Sequence, residues 1–203
     1  MNRPGGAPTD AVGLGVPAPP LPVLDAPWTI RTLRADGDDL DLVHRWMNAP
    51  HVATAWHQDW PRERWAGELR RQLAGAHSRP CLVSRDGVPF AYVELYRVVR
   101  DRLAAYFPAR PHDLGVHLAI GAAENTGRGR GGELIRVIAA GLLAADPACT
   151  RVVAEPNVDN ARSVRAFARA GFRPAGQIEL PHKTAVLLVR TRTATDPAAS
   201  AGA

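Results

Sequence analysis

Apolar residues follow strand and helix spacings along most of the chain, and these spacings predict a mixed α/β domain. Alternating or continuous apolar runs predict strands over residues 28–34, 80–84, 88–98, 114–121, 151–155, 176–180 and 184–192. Apolar residues three or four apart predict helices over residues 38–48, 62–76, 133–145 and 160–170. The order β-α-α-β-β-β-α-β-α-β-β is typical of a single α/β (α+β) domain.

Short polar segments mark where these elements end. Asp86-Gly87, between two strand runs, predicts a hairpin. The Asn-Ala-Pro of residues 48–50 ends the first helix, so Trp56 and Trp60 are expected on a loop before the second helix. Gly171 is expected to close the last helix.

Both ends of the chain differ in composition from the predicted domain. Residues 1–27 contain seven prolines and few large apolar side chains, and residues 193–203 are rich in Ala and Thr. Such segments bury too little apolar surface to fold alone. The sequence therefore predicts a folded domain over residues 28–192 with a loose tail at each end.

Composition narrows the possible partners and compartments. The net charge is +5 and the pI about 10, which suits a phosphate-rich cofactor or an acidic carrier protein. The arginines are scattered rather than massed, which argues against nucleic acid. No apolar run is long enough to cross a membrane and no secretory signal is visible. Two isolated cysteines and no Cys/His ligand spacing favour a reducing, cytoplasmic location without a structural metal.

A turn rich in glycine and arginine, residues 126–132, separates the strand 114–121 from the helix 133–145. Such a turn at a helix start leaves backbone N–H groups without intrahelical partners, and the helix dipole adds positive potential. Glycine permits close backbone approach, and Arg128 and Arg130 add charge. The turn predicts a seat for phosphate oxygens, with an ordinary surface turn as the alternative.

The order of elements, this turn and one helix together resemble the GCN5-related N-acetyltransferases (GNAT). The helix carries the pattern Asn160-x-x-Ser163-x-x-x-Phe167-x-x-x-Gly171-Phe172. The resemblance covers most of residues 28–192. It implies the GNAT fold, a mixed, mostly antiparallel central sheet flanked by helices, and it implies acetyl-CoA or another acyl-CoA as acyl donor.

In that family the turn holds the pyrophosphate of CoA, and the preceding strand binds the pantetheine arm by β-augmentation. The resemblance thus implies a cofactor site made of Leu118, Ala119, Ile120, Arg128, Gly129, Arg130, Gly131, Gly132, Asn160, Ser163 and Phe167. A backbone N–H of Leu118 or Ala119 would polarise the thioester carbonyl. Two positions depart from the pattern: Thr126 replaces the usual Gln or Arg, and Phe167 replaces the tyrosine that protonates the thiolate.

A narrower resemblance is spread over residues 111–121, 153–160 and 180–185. These blocks are similar to the siderophore-biosynthesis branch, the lysine and N6-hydroxylysine N-acyltransferases of the mycobactin and aerobactin type. The resemblance implies acyl transfer to the side-chain amine or hydroxylamine of lysine, N6-hydroxylysine or a related diamine. The donor is expected to be acyl-CoA or an acyl-carrier protein.

The resemblance points to His117 and Asp159 as catalytic candidates. Val116, Leu118 and Ile120 share one face of their strand, so His117 points to the other. An amine must lose a proton to attack a thioester, and imidazole titrates in the required range. The alternatives are a structural histidine and an aspartate that only caps the following helix.

Five residues are candidates for substrate binding: Trp56, Glu94, Tyr96, Glu155 and Lys183. Glu94 and Tyr96 are expected on one strand face together with Phe90 and Tyr92. Lys183 could bind a substrate carboxylate. Each has an ordinary structural role as its alternative.

Two other functions remain open at this level. Aminoglycoside 6'-N-acetyltransferases have a similar pattern, but their polycationic substrates require an acidic cleft. A non-catalytic acyl-CoA-binding module is compatible with the missing tyrosine at Phe167.

Overall fold

The computed structural model describes residues 15–193; the predicted loose ends at 1–14 and 194–203 lie outside this range. Within it the strands are β1 (Trp28–Thr32), β2 (Ser78–Arg85), β3 (Val88–Arg97), β4 (Leu114–Ile120), β5 (Arg151–Ala154), β6 (Arg173–Leu180) and β7 (Lys183–Thr191). The helices are α1 (Gly37–Met47), α2 (Pro50–Trp56), α3 (Arg62–Ala74), α4 (Arg130–Ala145) and α5 (Ala161–Arg169). None of these helices is long and apolar enough to cross a membrane.

The strands form one mixed sheet in the order β1-β2-β3-β4-β5-β7-β6. Every neighbouring pair is antiparallel except β4 and β5, which confirms the mostly antiparallel sheet. The parallel pairing of β4 with β5 covers only Leu114–Gly115 against Val152–Val153. Beyond these residues the two strands separate, while β4 stays paired with β3 as far as Ile120.

Helices cover both faces of the sheet. One apolar cluster lies between the sheet and helices α4 and α5, with Leu134, Ile138 and Phe172 fully buried in it. A second lies under α1 to α3 and is built around Trp65 and Tyr92. The sheet is thus buried on both faces, which fixes which side chains of β3 and β4 reach each cluster.

One α-helix was missed in the sequence and several boundaries were misplaced, two of them by three residues. Residues 50–56 form α2, where a loop was expected, so Trp56 is the last residue of a helix. Helix α1 ends at Met47, and Pro50 begins the next helix because its fixed φ suits the first helical position. Helix α4 begins at Arg130 instead of residue 133, and β6 begins at Arg173 instead of residue 176.

A β-bulge corrects the predicted face of Phe90. Val83 pairs with Ala91 and the next residue pairs with Pro89, so Phe90 is an extra residue on β3. It packs edge-on against Trp28, with ring centroids 5.0 Å apart, on the α4 side of the sheet. Phe90 therefore does not share a face with Glu94 and Tyr96, because a bulge reverses the alternation of side chains.

The prediction that the chain is loose before residue 28 does not hold for residues 15–27. Arg97 Nε donates to the carbonyl of Pro17 at 2.9 Å, and Arg79 Nε donates to that of Pro19 at 2.8 Å. Carbonyls of a proline-rich segment have no partners in an extended chain. Arginines of the sheet supply those partners and hold the segment in place.

Two glycine substitutions test this packing. A Cβ on Gly115 would lie 2.0 Å from the ring of Tyr96, whereas a Cβ on Gly67, inside α3, meets nothing within 4 Å. We expect Gly115→Ala to lower the free energy of unfolding by ~2 kcal/mol or more. Gly67→Ala should raise it by about 0.5–1 kcal/mol, since alanine favours the helix. Urea unfolding measures both, and equal effects of the two changes would contradict the described packing.

Candidate active site

A cleft of about 820 Å³ opens where β4 and β5 separate. Its walls come from the α2–α3 region, strands β3 and β4, the segment after β5, helix α5 and the β6–β7 turn. Trp56, Glu94, Tyr96, His117, Leu118, Glu155, Asn160, Ser163, Phe167 and Lys183 all line it. The structure thus brings together predicted residues from six separate segments.

His117 lies at the centre of the cleft between two carboxylates. It is paired in register with Glu94 across β3 and β4, and its Nδ1 lies 3.0 Å from Glu94 Oε2. Its Nε2 lies 2.6 Å from Oε1 of Glu155, the residue that follows β5. Both ring nitrogens are therefore occupied by acceptors, and only a doubly protonated imidazolium can donate to both.

The charges of this cluster reinforce one another. Burial alone lowers the pKa of His117, but the charge of Glu155 and hydrogen bonds to Glu155 and Glu94 outweigh it and raise the pKa to about 10. Burial alone raises the pKa of Glu155, but the charge and hydrogen bond of His117 lower it to about 2. The pKa of Glu94 is likewise lowered, since its hydrogen bond to His117 overcomes burial. At neutral pH the cluster holds one imidazolium between two carboxylates.

Neutral donors hold both carboxylates in place. Tyr96 Oη donates to Glu155 Oε2 at 2.8 Å, and Tyr92 Oη donates to Glu94 Oε1 at 2.7 Å. Gln72 Nε2 also donates to Glu94 Oε1, at 3.0 Å. Every carboxylate oxygen thus accepts at least one hydrogen bond, so the cluster is organised before substrate arrives.

Aromatic rings enclose the imidazolium. The ring of Tyr96 lies 4.7 Å from that of His117, and Trp56 approaches it edge-on at 6.0 Å. Even so, 32% of the His117 side chain remains exposed, and this part faces the cleft. Trp56 and Tyr96, two of the substrate-binding candidates, are therefore walls of the site.

The structure does not pair Asp159 with His117. Asp159 is exposed, does not line the cleft, and its backbone N–H donates to Asn157 Oδ1 at 2.9 Å. The cap of helix α5 is Asn160, whose Oδ1 accepts from the N–H of Ser163 at 3.0 Å. Glu155 is the carboxylate that reaches His117, because it follows the buried strand β5 directly.

Lys183 contacts the same carboxylate from the other side. Its Nζ donates to the backbone carbonyl of Glu155 at 2.6 Å and lies 3.8 Å from Glu155 Oε1. That oxygen also accepts from His117 Nε2, so one carboxylate oxygen lies between the two cations.

The backbone amides of the three predicted β4 residues, Leu118, Ala119 and Ile120, do not all point to the open edge of the strand. The N–H of Gly121 donates to Phe90 on β3, and amide direction alternates along a strand. The amides of Leu118 and Ile120 therefore face the side from which β5 has separated, whereas the amide of Ala119 faces β3. Of these two residues only Leu118 lines the cleft, so its amide is the one that opens into it.

The turn before α4 has the backbone that its glycines allow. Gly127 and Gly129 have φ of 77° and 78°, and Gly129 is the N-cap of α4 without any side-chain cap. The first amides of the helix thus have no capping side chain. Arg130 Nη1 donates to Asn125 Oδ1 at 3.1 Å, which orders the turn. Residues 128–132 lie outside the cleft wall itself.

Helix α5 meets the cleft through Asn160, Ser163 and Phe167. Phe167 is 5% exposed and packs edge-on against Phe172, with centroids 5.1 Å apart. Its ring belongs to the core as well as to the wall of the cleft. Among residues 15–193, no group of three or more His, Cys, Asp or Glu side chains could hold a metal ion.

Comparison with known proteins decides the family. A family model described as "Acetyltransferase (GNAT) domain" matches residues 36–180. The chain belongs to the GNAT family. As a GNAT protein it is an acyltransferase, and acyl-CoA is the donor that this family uses.

Relatives of this GNAT enzyme carry names from the predicted branch. It is 39% identical over 181 residues to lysine N-acyltransferase MbtK of Mycolicibacterium paratuberculosis, covering 89% of this chain and 81% of that protein. It is 34% identical to N-hydroxyputrescine acetyltransferase of Acinetobacter baumannii, covering 73% and 71%. A solved structure of aminoglycoside acetyltransferase AAC(6')-Ib with coenzyme A has a TM-score of 0.73 at 25% identity, covering 81% and 95%.

The charge cluster predicts a specific pH dependence of stability. Folding raises the pKa of His117 from 6.5 to about 10. Its charge therefore stabilises the fold fully below pH 6.5, and this contribution is lost as the pH rises through 10. We expect the free energy of unfolding to fall between pH 7 and pH 10 by on the order of 2 kcal/mol more in the native protein than in His117→Gln. Urea unfolding at each pH measures the difference.

The control for this measurement is His44→Gln, at the end of α1 and outside the cleft. That variant should keep the alkaline loss of the native protein. The same pH dependence in all three proteins would show that His117 is not held as a cation.

Proposed function

We propose that this protein transfers an acyl group from acyl-CoA to the terminal nitrogen of a lysine-type acceptor, preferably its N-hydroxylated form, in hydroxamate siderophore biosynthesis. Relatives named for a lysine and for an N-hydroxyamine acceptor support the acceptor class. A cytoplasmic location belongs to the proposal, since Cys81 and Cys149 are free thiols.

The acceptor preference is inferred from the imidazole of His117, whose two ring nitrogens are both engaged by carboxylates. With both nitrogens hydrogen-bonded to carboxylates, the ring has no free lone pair to remove a proton. Glu155 is also a weak base, because its pKa lies at about 2. His117 thus acts as the cation that positions Glu94 and Glu155, in place of the general base expected from the sequence. The acceptor must then arrive with its nitrogen already neutral.

A hydroxylamine nitrogen meets this requirement, and an alkyl amine does not. A lysine amine with a pKa of about 10.4 is neutral in roughly one molecule in 2,500 at pH 7. A hydroxylamine is far less basic and is mostly neutral there. The carboxylates of Glu94 and Glu155 keep further lone pairs that can accept its N–H or O–H.

The acyl donor is proposed to bind along the open edge of β4. The pyrophosphate would contact the amides of residues 128–132, and the pantetheine arm would pass Asn160, Ser163 and Phe167. The amide of Leu118 would then polarise the thioester carbonyl, a contribution of roughly 2.7–4 kcal/mol for one oxyanion donor. The nitrogen attacks the carbonyl carbon, the C–S bond breaks, and the nitrogen's proton leaves with the thiolate or to water, because Phe167 has no proton to give.

The charge of the cleft argues against an aminoglycoside as acceptor. With His117 protonated, five cations and four carboxylates line the cleft: Arg71, Arg100, Arg102, His117 and Lys183, with Glu68, Glu94, Asp101 and Glu155. A polycation is attracted by an excess of carboxylates, which this lining lacks. The similarity to aminoglycoside acetyltransferases is therefore a similarity of fold.

Thiol release from acetyl-CoA tests the proposal, with N6-hydroxylysine, lysine and kanamycin as acceptors. We expect kcat/KM for N6-hydroxylysine to exceed that for lysine by at least 100-fold at pH 7. The ratio should fall as the pH rises toward 10, because the neutral fraction of lysine increases. Acetyl groups on a carrier protein are assayed in parallel as an alternative donor. Equal use of lysine at pH 7 would show that the site contains an effective base, and activity with kanamycin alone would contradict the proposal.

A further inference from the structure

Basic residues from two separate segments line the cleft. Arg102 begins the short 3₁₀ turn Arg102–Ala105 in the connection after β3, His182 lies in the turn between β6 and β7, and Lys183 is the first residue of β7. All three line the cleft. Two segments far apart in sequence thus bring basic side chains to the same place.

Lys183 connects this basic end to the reaction centre. Glu155 Oε1 lies 2.6 Å from His117 Nε2 and 3.8 Å from Lys183 Nζ, so it separates the two cations. The Lys183 side chain is 20% exposed. A ligand that reaches Lys183 therefore passes directly beside the cluster at which acyl transfer is proposed.

Arg102 extends the positive end toward solvent. It is exposed and makes no hydrogen bond or ion pair with any residue between 15 and 193. Arg102, His182 and Lys183 line the same cleft; burial lowers the pKa of His182, and the charges of Arg102 and Lys183 lower it further. The neighbouring carboxylate in sequence is Asp101, whose Oδ1 already accepts from the N–H of Leu103 at 2.8 Å.

This arrangement matches the chemistry of an amino acid acceptor. A lysine-type acceptor has its reacting nitrogen at one end of a flexible aliphatic chain and a carboxylate at the other. A diamine made by decarboxylation has the same chain and the same nitrogen without the carboxylate. The two acceptors therefore differ in the group that a cationic end of the cleft would recognise.

We propose that Arg102 and Lys183 bind the carboxylate of the acceptor, so that the protein selects an N-hydroxylated amino acid over the corresponding N-hydroxylated diamine. The inference rests on the proposed function and specifies its substrate. His182 lines the same cleft as these two cations.

A comparison of two acceptors tests this proposal. N6-hydroxylysine and N-hydroxycadaverine share the reacting group and chain and differ by the carboxylate alone. We expect kcat/KM for N6-hydroxylysine to be about 10- to 100-fold higher, the effect of one or two charge-assisted hydrogen bonds. Arg102→Gln should reduce this preference by about tenfold, chiefly through KM, and Arg102→Lys should retain most of it.

Arg70→Gln is the matched control, since it removes the same charge from an exposed arginine that does not line the cleft. That variant should keep the native preference, and thermal unfolding should show that all variants are folded. Equal use of both acceptors by the native protein, or a preference that survives Arg102→Gln, would overturn the carboxylate subsite while leaving the proposed function intact. No turnover of either acceptor would overturn the proposed function and the subsite with it.

Discussion

The positive charge of His117 allows two buried carboxylates to face each other across one cleft. Glu94 and Glu155 have side chains that are 14% and 7% exposed, and removing such groups from water is costly unless a cation compensates them. The imidazolium supplies that compensation with one hydrogen bond to each carboxylate. Without it, the two carboxylates would repel each other or take up a proton.

The position of this cation follows from the sheet. Register pairs His117 with Glu94 across β3 and β4, and the short parallel pairing places Glu155 just beyond the end of β5. The same separation of β4 from β5 exposes the amide of Leu118. One feature of the topology therefore creates both the space for an acyl donor and the charge cluster that faces its acceptor.

The local pattern of apolar and polar residues in the sequence predicts much of this arrangement. Alternation along β4 predicts the face of His117 because the strand packs against an apolar cluster on its other side. The pairing of His117 with Glu94 could not be predicted, since it depends on the register between β3 and β4 across the long connection 98–113. Asp159 was a reasonable candidate from the motif, yet the carboxylate nearest in space is Glu155, four positions earlier. Helix α2 was missed because its seven residues include only one fully buried side chain, Val52.

The protonation state of His117 distinguishes a positioning cation from a catalytic base. An NMR titration of the ring of His117, assigned by comparison with His117→Gln, measures it directly. We expect an imidazolium that persists through pH 8 and loses its proton near pH 10. A titration midpoint between pH 6 and 7 would contradict it, because the ring would then be free to accept a proton from the acceptor.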